Sequence, residues 1–165
     1  MADTRIQLEV EDWVRRNWLA ARFDEPFSRE RIKLVTGGVF DFDAVSRDGQ
    51  TVACISTSGS RTAGGKAAVG KLLKIRSDLL FLSMAANVRV RLLVLTEADM
   101  LETCRREQTN GRVPSGIEFL LADIPEELRE RLVAARRRAS REMTAEAVEM
   151  LPDELVLGET KTNGI

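Results

Sequence analysis

Histidine and tyrosine are absent from this 165-residue chain, and cysteine occurs only at Cys54 and Cys104. Without histidine there is no Ser-His or Cys-His nucleophile system and no imidazole-ligated metal, so acid-base chemistry falls to carboxylates, lysines or water. The two cysteines lie far apart in different elements. They define neither a disulfide framework nor a zinc-ligand spacing, and both are expected to be reduced and buried. With no tyrosine, and with both tryptophans on one apolar stripe, little aromatic surface is left for stacking nucleobases. No apolar run approaches the roughly 18 residues that suggest a membrane span. The start, MADTRIQLEV, lacks the basic segment followed by an apolar stretch of a secretory leader. The expectation is a cytoplasmic protein with no membrane association.

What is present suits a folded domain: 44% of residues are hydrophobic and 31% charged. The length fits one α/β domain over residues 1–157, with 158–165 as a flexible tail. A formal net charge of −1 gives no global attraction to nucleic acid, so local patches must decide. Basic residues gather between Arg61 and Arg76 and between Arg129 and Arg141, whereas the chain after Glu142 is mainly acidic.

The pattern of apolar residues predicts the element order αβββαβαβα. Ile6, Val10, Trp13, Val14 and Trp18 recur at helical spacing within residues 4–22. Arg31 to Val35 reads as a short strand, and Thr36-Gly37-Gly38 as a break. VFDFDAV then alternates, which predicts Phe40, Phe42 and Ala44 on one face and Val39, Asp41, Asp43 and Val45 on the other. Asp48-Gly49 is a strong hairpin signal for a two-residue type I′ turn. That turn pairs Val45 with Val52, Asp43 with Cys54 and Asp41 with Ser56. Asp41, Asp43, Cys54, Ser56 and Ser58 then share a face. A long helix is expected from Lys66 to Ala86, and VRVRLLVLT reads as a buried strand. A helix capped by Thr96 and Asp99 follows, then a strand at Ile117 to Ala122 and a last helix opening near Pro125.

The phrase FDFDAVSRDGQTVACISTS, following a helix and preceding a helix and a buried strand, resembles the core of the PD-(D/E)XK nuclease superfamily over roughly residues 5–96. The resemblance implies a restriction-endonuclease-like fold, a mixed sheet flanked by helices. It also implies a site in which a strand aspartate and an acid-x-lysine tripeptide hold one or two divalent metals that activate water on a phosphodiester. Asp41 or Asp43 stands at the aspartate position. Ser56 stands in place of the acid and Ser58 in place of the lysine, so the member is degenerate. Lys66 or Lys71 is a candidate replacement cation, and Glu9 or Glu11 a candidate extra carboxylate. The expected site is accordingly Asp41, Asp43, Ser56, Ser58 and Lys66, with Asp41, Asp43 and Glu9 around Mg²⁺ or Mn²⁺. Arg61, Lys66, Lys71 and Lys74 are expected to contact DNA or RNA phosphates.

Blander readings compete at each position. Two aspartates can line a solvated strand, Glu9 and Glu11 an exposed helix face, and Ser56 to Ser58 a strand end. GKAAVGK, Gly65 to Lys71, approaches a P-loop, but Leu72 replaces the Mg²⁺-binding hydroxyl residue and the loop does not directly follow its strand. The arginines of the last helix alternate with glutamates at ion-pairing distance within the helix. The alternative function is a non-catalytic domain of the same fold that binds a protein partner or forms a homodimer.

Overall fold

The computed structural model describes residues 4–149. The expected tail at 158–165 lies outside them. The elements are α1 (Arg5–Trp13), a π-helical turn (Val14–Leu19), α2 (Ala20–Phe23), β1 (Phe27–Lys33), β2 (Val39–Ser46), β3 (Thr51–Ser56), α3 (Val69–Met84), β4 (Val90–Leu95), α4 (Ala98–Thr109), β5 (Ile117–Leu121) and α5 (Glu126–Glu149). The strands form one mixed sheet in the order β1-β2-β3-β4-β5. The pairs β1–β2 and β2–β3 are antiparallel, and β3–β4 and β4–β5 are parallel. No helix among the described residues is long and apolar enough to cross a membrane.

The sheet is the middle layer of three because both of its faces are apolar. On one face Val52, Cys54, Leu93, Leu95 and Phe119 pack with Ile75, Leu79 and Leu82 of α3 and Met100, Leu101 and Cys104 of α4. On the other, Ala53, Ile55, Leu92, Val94 and Leu120 pack with Ile6 and Val10 of α1, Val14 and Leu19 of the π turn, and Leu128 and Leu132 of α5. Strands buried on both faces read as continuous apolar runs. Each fully buried Leu or Val contributes about 1.5–3 kcal/mol through removal from water.

The first helix buries Ile6, Val10, Val14 and Leu19. The last step is five residues rather than four because the π turn holds one extra residue, and Trp13 and Trp18 pack at the margin of the same core. Trp18 is only partly buried, with the Arg22 guanidinium 5.4 Å from its ring centre.

The expected register at Val45↔Val52 is present, but three local expectations are corrected. The hairpin turn is not type I′, since only Gly49 has positive φ, at 70°. The Asp48 carboxylate instead accepts hydrogen bonds from the Gln50 N–H at 3.0 Å and the Ser46 hydroxyl at 2.7 Å, which holds the chain in a tighter turn between Ser46 and Gly49. Those bonds keep its carboxyl below the usual range, the Gln50 N–H contributing most. The alternation of β2 breaks where its register against β1 slips, between Ser28↔Val45 and Glu30↔Phe42. One extra residue on β2 forms a bulge at Asp43 and Ala44. Phe42 and Val45 therefore share one core, whereas Ala44 enters the other. The expected cap of α4 by Thr96 and Asp99 is not formed, since Glu97 is the N-cap residue and its side chain makes no capping bond. The Asp99 carboxylate accepts from the Met100 N–H at 2.8 Å and from the Ser60 N–H and hydroxyl at 2.9 and 2.8 Å, fastening the loop after β3.

Two element boundaries also move. The first strand begins at Phe27 and ends before Leu34, because the chain there leaves to meet the end of α3 through the Leu34–Ala85 bridge. The long helix begins at Val69, so Lys66 lies in the preceding loop.

Candidate functional site

The bulge defines the candidate site. Pairing between β1 and β2 continues to Lys33↔Val39, while that between β2 and β3 is confined to Ala44↔Ala53 and Val45↔Val52. Beyond them β1 and β2 continue as a two-stranded arm whose tip rests on the end of α3, where the Val35 N–H donates to the Met84 carbonyl at 2.8 Å. A cleft of about 460 Å³ lies between arm and helix, lined by Arg29, Arg31, Val39, Phe40, Asp41, Asp43, Lys74 and Asp78.

At its head, Asp43 is fixed from two sides. Its carboxylate accepts the Ile55 N–H of β3 at 2.8 Å, substituting for a ladder acceptor where the strands part. Its carbonyl accepts a hydrogen bond from Arg15, a residue of the π turn that also pairs with Asp12 at 2.9 Å. π turns inserted in α-helices are frequent at functional sites.

The facing wall is α3. Lys74 donates to both carboxylate oxygens of Asp78 at 3.1 Å; the Asp78 side chain is 6% exposed and that of Lys74 69%. A lysine preceding its acid by four residues is the weaker helix orientation. A buried acid also carries a desolvation cost that one partner seldom repays. Burial raises the Asp78 carboxyl above its usual range, although Lys74 pulls it down. Burial lowers the Lys74 ammonium, but the charge and hydrogen bond of Asp78 outweigh that and leave it raised.

Glu11 of α1 does not line the cleft but couples to it through charge. Burial, and then the Asp43 charge, push its carboxyl up to about 7, against smaller pulls from Lys74, Arg15 and Arg29. Cys54 is held as a neutral thiol by burial, reinforced by Asp78 and Asp43. Glu11, Asp43, Lys74 and Asp78 thus come from three elements and feel one another's charge.

The residues expected from the sequence divide. Asp41, Asp43 and Lys74 line the cleft; Asp41 is half-exposed and paired with Arg29 at 3.2 Å. Ser56, Ser58, Lys66, Lys71, Arg61 and Glu9 are not among its lining residues. The Ser58 N–H donates to the Ser56 hydroxyl at 3.4 Å, Arg61 donates to the Gly65 carbonyl at 3.0 Å, and Lys66 and Lys71 are exposed. Glu9 is gripped by both terminal nitrogens of Arg131 at 2.6 and 2.7 Å, which lowers its carboxyl, chiefly through the hydrogen bonds. Glu11 rather than Glu9 therefore faces Asp43 electrostatically. Two further arginines of α5 also pair across elements: Arg136 and Arg129 meet Glu97 at 3.1 and 3.6 Å.

Arg29, Arg31, Asp78 and the placement of Glu11 were not singled out by the sequence pattern. An Arg-x-Arg pair ahead of the aspartate strand was the available signal for the arginines. Among the described residues, no group of three His, Cys, Asp or Glu is arranged to hold a metal ion. The acidic oxygens suit a hard cation chemically, but Asp41 and Asp78 are each occupied by a basic side chain. This arrangement does not fit the expected Mg²⁺ or Mn²⁺ site. Comparison with family models, curated proteins and solved structures finds no match to any of them.

Proposed function

We propose that the chain is a nuclease-like domain whose cleft engages the phosphates of nucleic acid, with Lys74 as the phosphate-facing cation and Asp43, Asp78 and Glu11 as the acidic groups around it. The observation that carries this reading is the gathering of Asp43, Lys74 and Asp78 in one cleft where β2 and β3 part, with Glu11 within electrostatic reach of Asp43 and Lys74. Perturbed acids and a cation in one cleft favour a functional site over a structural ion pair. The antiparallel arm, the parallel β3–β4 pair and the helix between them also agree with the restriction-endonuclease-like arrangement that the hairpin resembles. In this reading α3 supplies both the acid and the lysine that Ser56 and Ser58 do not provide.

Binding is the form of the proposal best supported, because the acids lack a metal-ready grouping. Fluorescence anisotropy with a labelled oligonucleotide tests it: Lys74→Ala should weaken binding by at least about tenfold, a loss of 1.4 kcal/mol. Wild-type protein that binds no DNA or RNA at low salt defeats the proposal. A hydrolytic reading is favoured by one observation, a Glu11 carboxyl able to exchange a proton near neutrality. Cleavage that requires added Mn²⁺ or Mg²⁺ and disappears in Asp43→Asn would select it. The alternative of a protein-interaction domain rests on Val69, Leu73 and Leu80, exposed along α3. A Leu73→Ser, Leu80→Ser variant with unchanged sedimentation and oligonucleotide binding removes its motive.

A further inference from the structure

The edge strand β1 of the arm carries a second feature, which deepens the reading just given and rests on it. Arg29, Arg31 and Lys33 alternate along β1 and so project to one side, about 6.7 Å apart. All three are exposed, and β1 is an edge strand. Among the described residues Arg31 and Lys33 have no ion-pair partner, and Arg29 has only its half-exposed pair with Asp41. Exposed pairs of this kind contribute little, about 0–1 kcal/mol, so a phosphate can take Asp41's place.

Two members of the row, Arg29 and Arg31, also line the cleft, together with Val39 and Phe40 of the neighbouring strand. Val39 is 60% exposed. Phe40 pairs with Ile32 and so turns to the opposite face, where it stacks on Phe81 with 4.1 Å between ring centres. That face of the arm therefore offers evenly spaced cations beside the exposed Val39, the partner of Lys33. That combination suits a strand whose bases are unstacked and free to rest on apolar groups. A duplex presents phosphates to cations but keeps its base faces inside the stack.

We infer that Arg29, Arg31 and Lys33 form a rail that leads the phosphates of single-stranded nucleic acid into the cleft. The positions are exposed on an edge strand, so replacing them leaves the two cores untouched; circular dichroism of each variant confirms this.

The test is anisotropy of the full chain with a labelled single-stranded oligonucleotide and a hairpin duplex of matched length, across a salt series. Arg29→Ala, Arg31→Ala should weaken single-strand binding about tenfold and reduce the slope of log affinity against log salt by about 1.4, since each phosphate contact on a single strand contributes about 0.7. Lys33→Ala should reduce the slope by about half as much. If the double variant binds like wild type while Lys74→Ala does not, the rail is refuted and the cleft stands. Tighter wild-type binding to the duplex overturns the single-strand assignment. Wild-type protein that binds neither probe overturns both the rail and the function on which it rests.

Discussion

The two sites where helices meet strand ends use charge in opposite ways. At the α5 side, Glu97 is shared by Arg129 and Arg136, and those guanidiniums also donate to the Thr96 and Thr57 carbonyls. Each charge there has partners of opposite sign or matching dipole. At the β2–β3 cleft, Asp43 and Asp78 share one lining with Lys74 while Glu11 feels the Asp43 charge, and burial raises the carboxyls of both Glu11 and Asp78. The first arrangement fastens a helix to the sheet; the second stores unfavourable charge. A protein tolerates the latter where the charge is used.

This contrast predicts opposite responses to the loss of a carboxylate. The largest effect is expected at Glu97. Glu97→Ala strands two partly buried guanidiniums and should destabilise the fold by about 2 kcal/mol, below the 3–5 typical of fully buried pairs. Urea denaturation measures it, and a loss under about 0.5 kcal/mol would mean that the carbonyls alone hold the arginines.

At Glu11 the sign reverses. Its folded carboxyl titrates near 7 against an ordinary 4.5, so the native state holds a proton that the unfolded chain has released. Stability is therefore greatest below about pH 4.5 for this group and falls as pH rises through about 7. Glu11→Gln should flatten that fall and stabilise the protein at pH 8 by about 1–2 kcal/mol, discounted for the partial exposure of the side chain. Melting curves at pH 5 and pH 8 test this; a variant less stable than wild type at pH 8 contradicts it.

The smallest effect belongs to the exposed Glu9–Arg131 pair. Glu9→Gln should leave the melting temperature within experimental scatter at moderate salt. A clear drop would make this pair a third fastening point, and the contrast between the two sites less sharp.

How much of this was legible in the sequence follows from the range of each signal. The element order and the Val45↔Val52 register were readable because alternation and the Asp48-Gly49 turn are local patterns. Asp43 was found for the same reason. The bulge beside it was not, since it arises from how β2 pairs with β1 and leaves no mark on the residue pattern. Lys74 was expected as a phosphate contact, but Asp78 was not singled out, because only the packing of α3 against the sheet turns it inward. Arg29 fell outside the expected strand, whose start was placed four residues late. Glu9 and Glu11 are equivalent by composition, and the helix phase alone decides which one meets Asp43.

That phase has a gearing consequence. The extra residue in the π turn is a one-tooth offset between the start of the first helix and its end, allowing Val14 and Leu19 to enter the same core. Deleting one residue from that turn while Leu19 stays anchored would rotate everything before it by about 100°. Ile6 and Val10 would turn out of the core, and Glu11 would swing away from Asp43. The turn therefore couples the seating of α1 to the acidity of the cleft, and insertions or deletions there should be far less tolerated than substitutions.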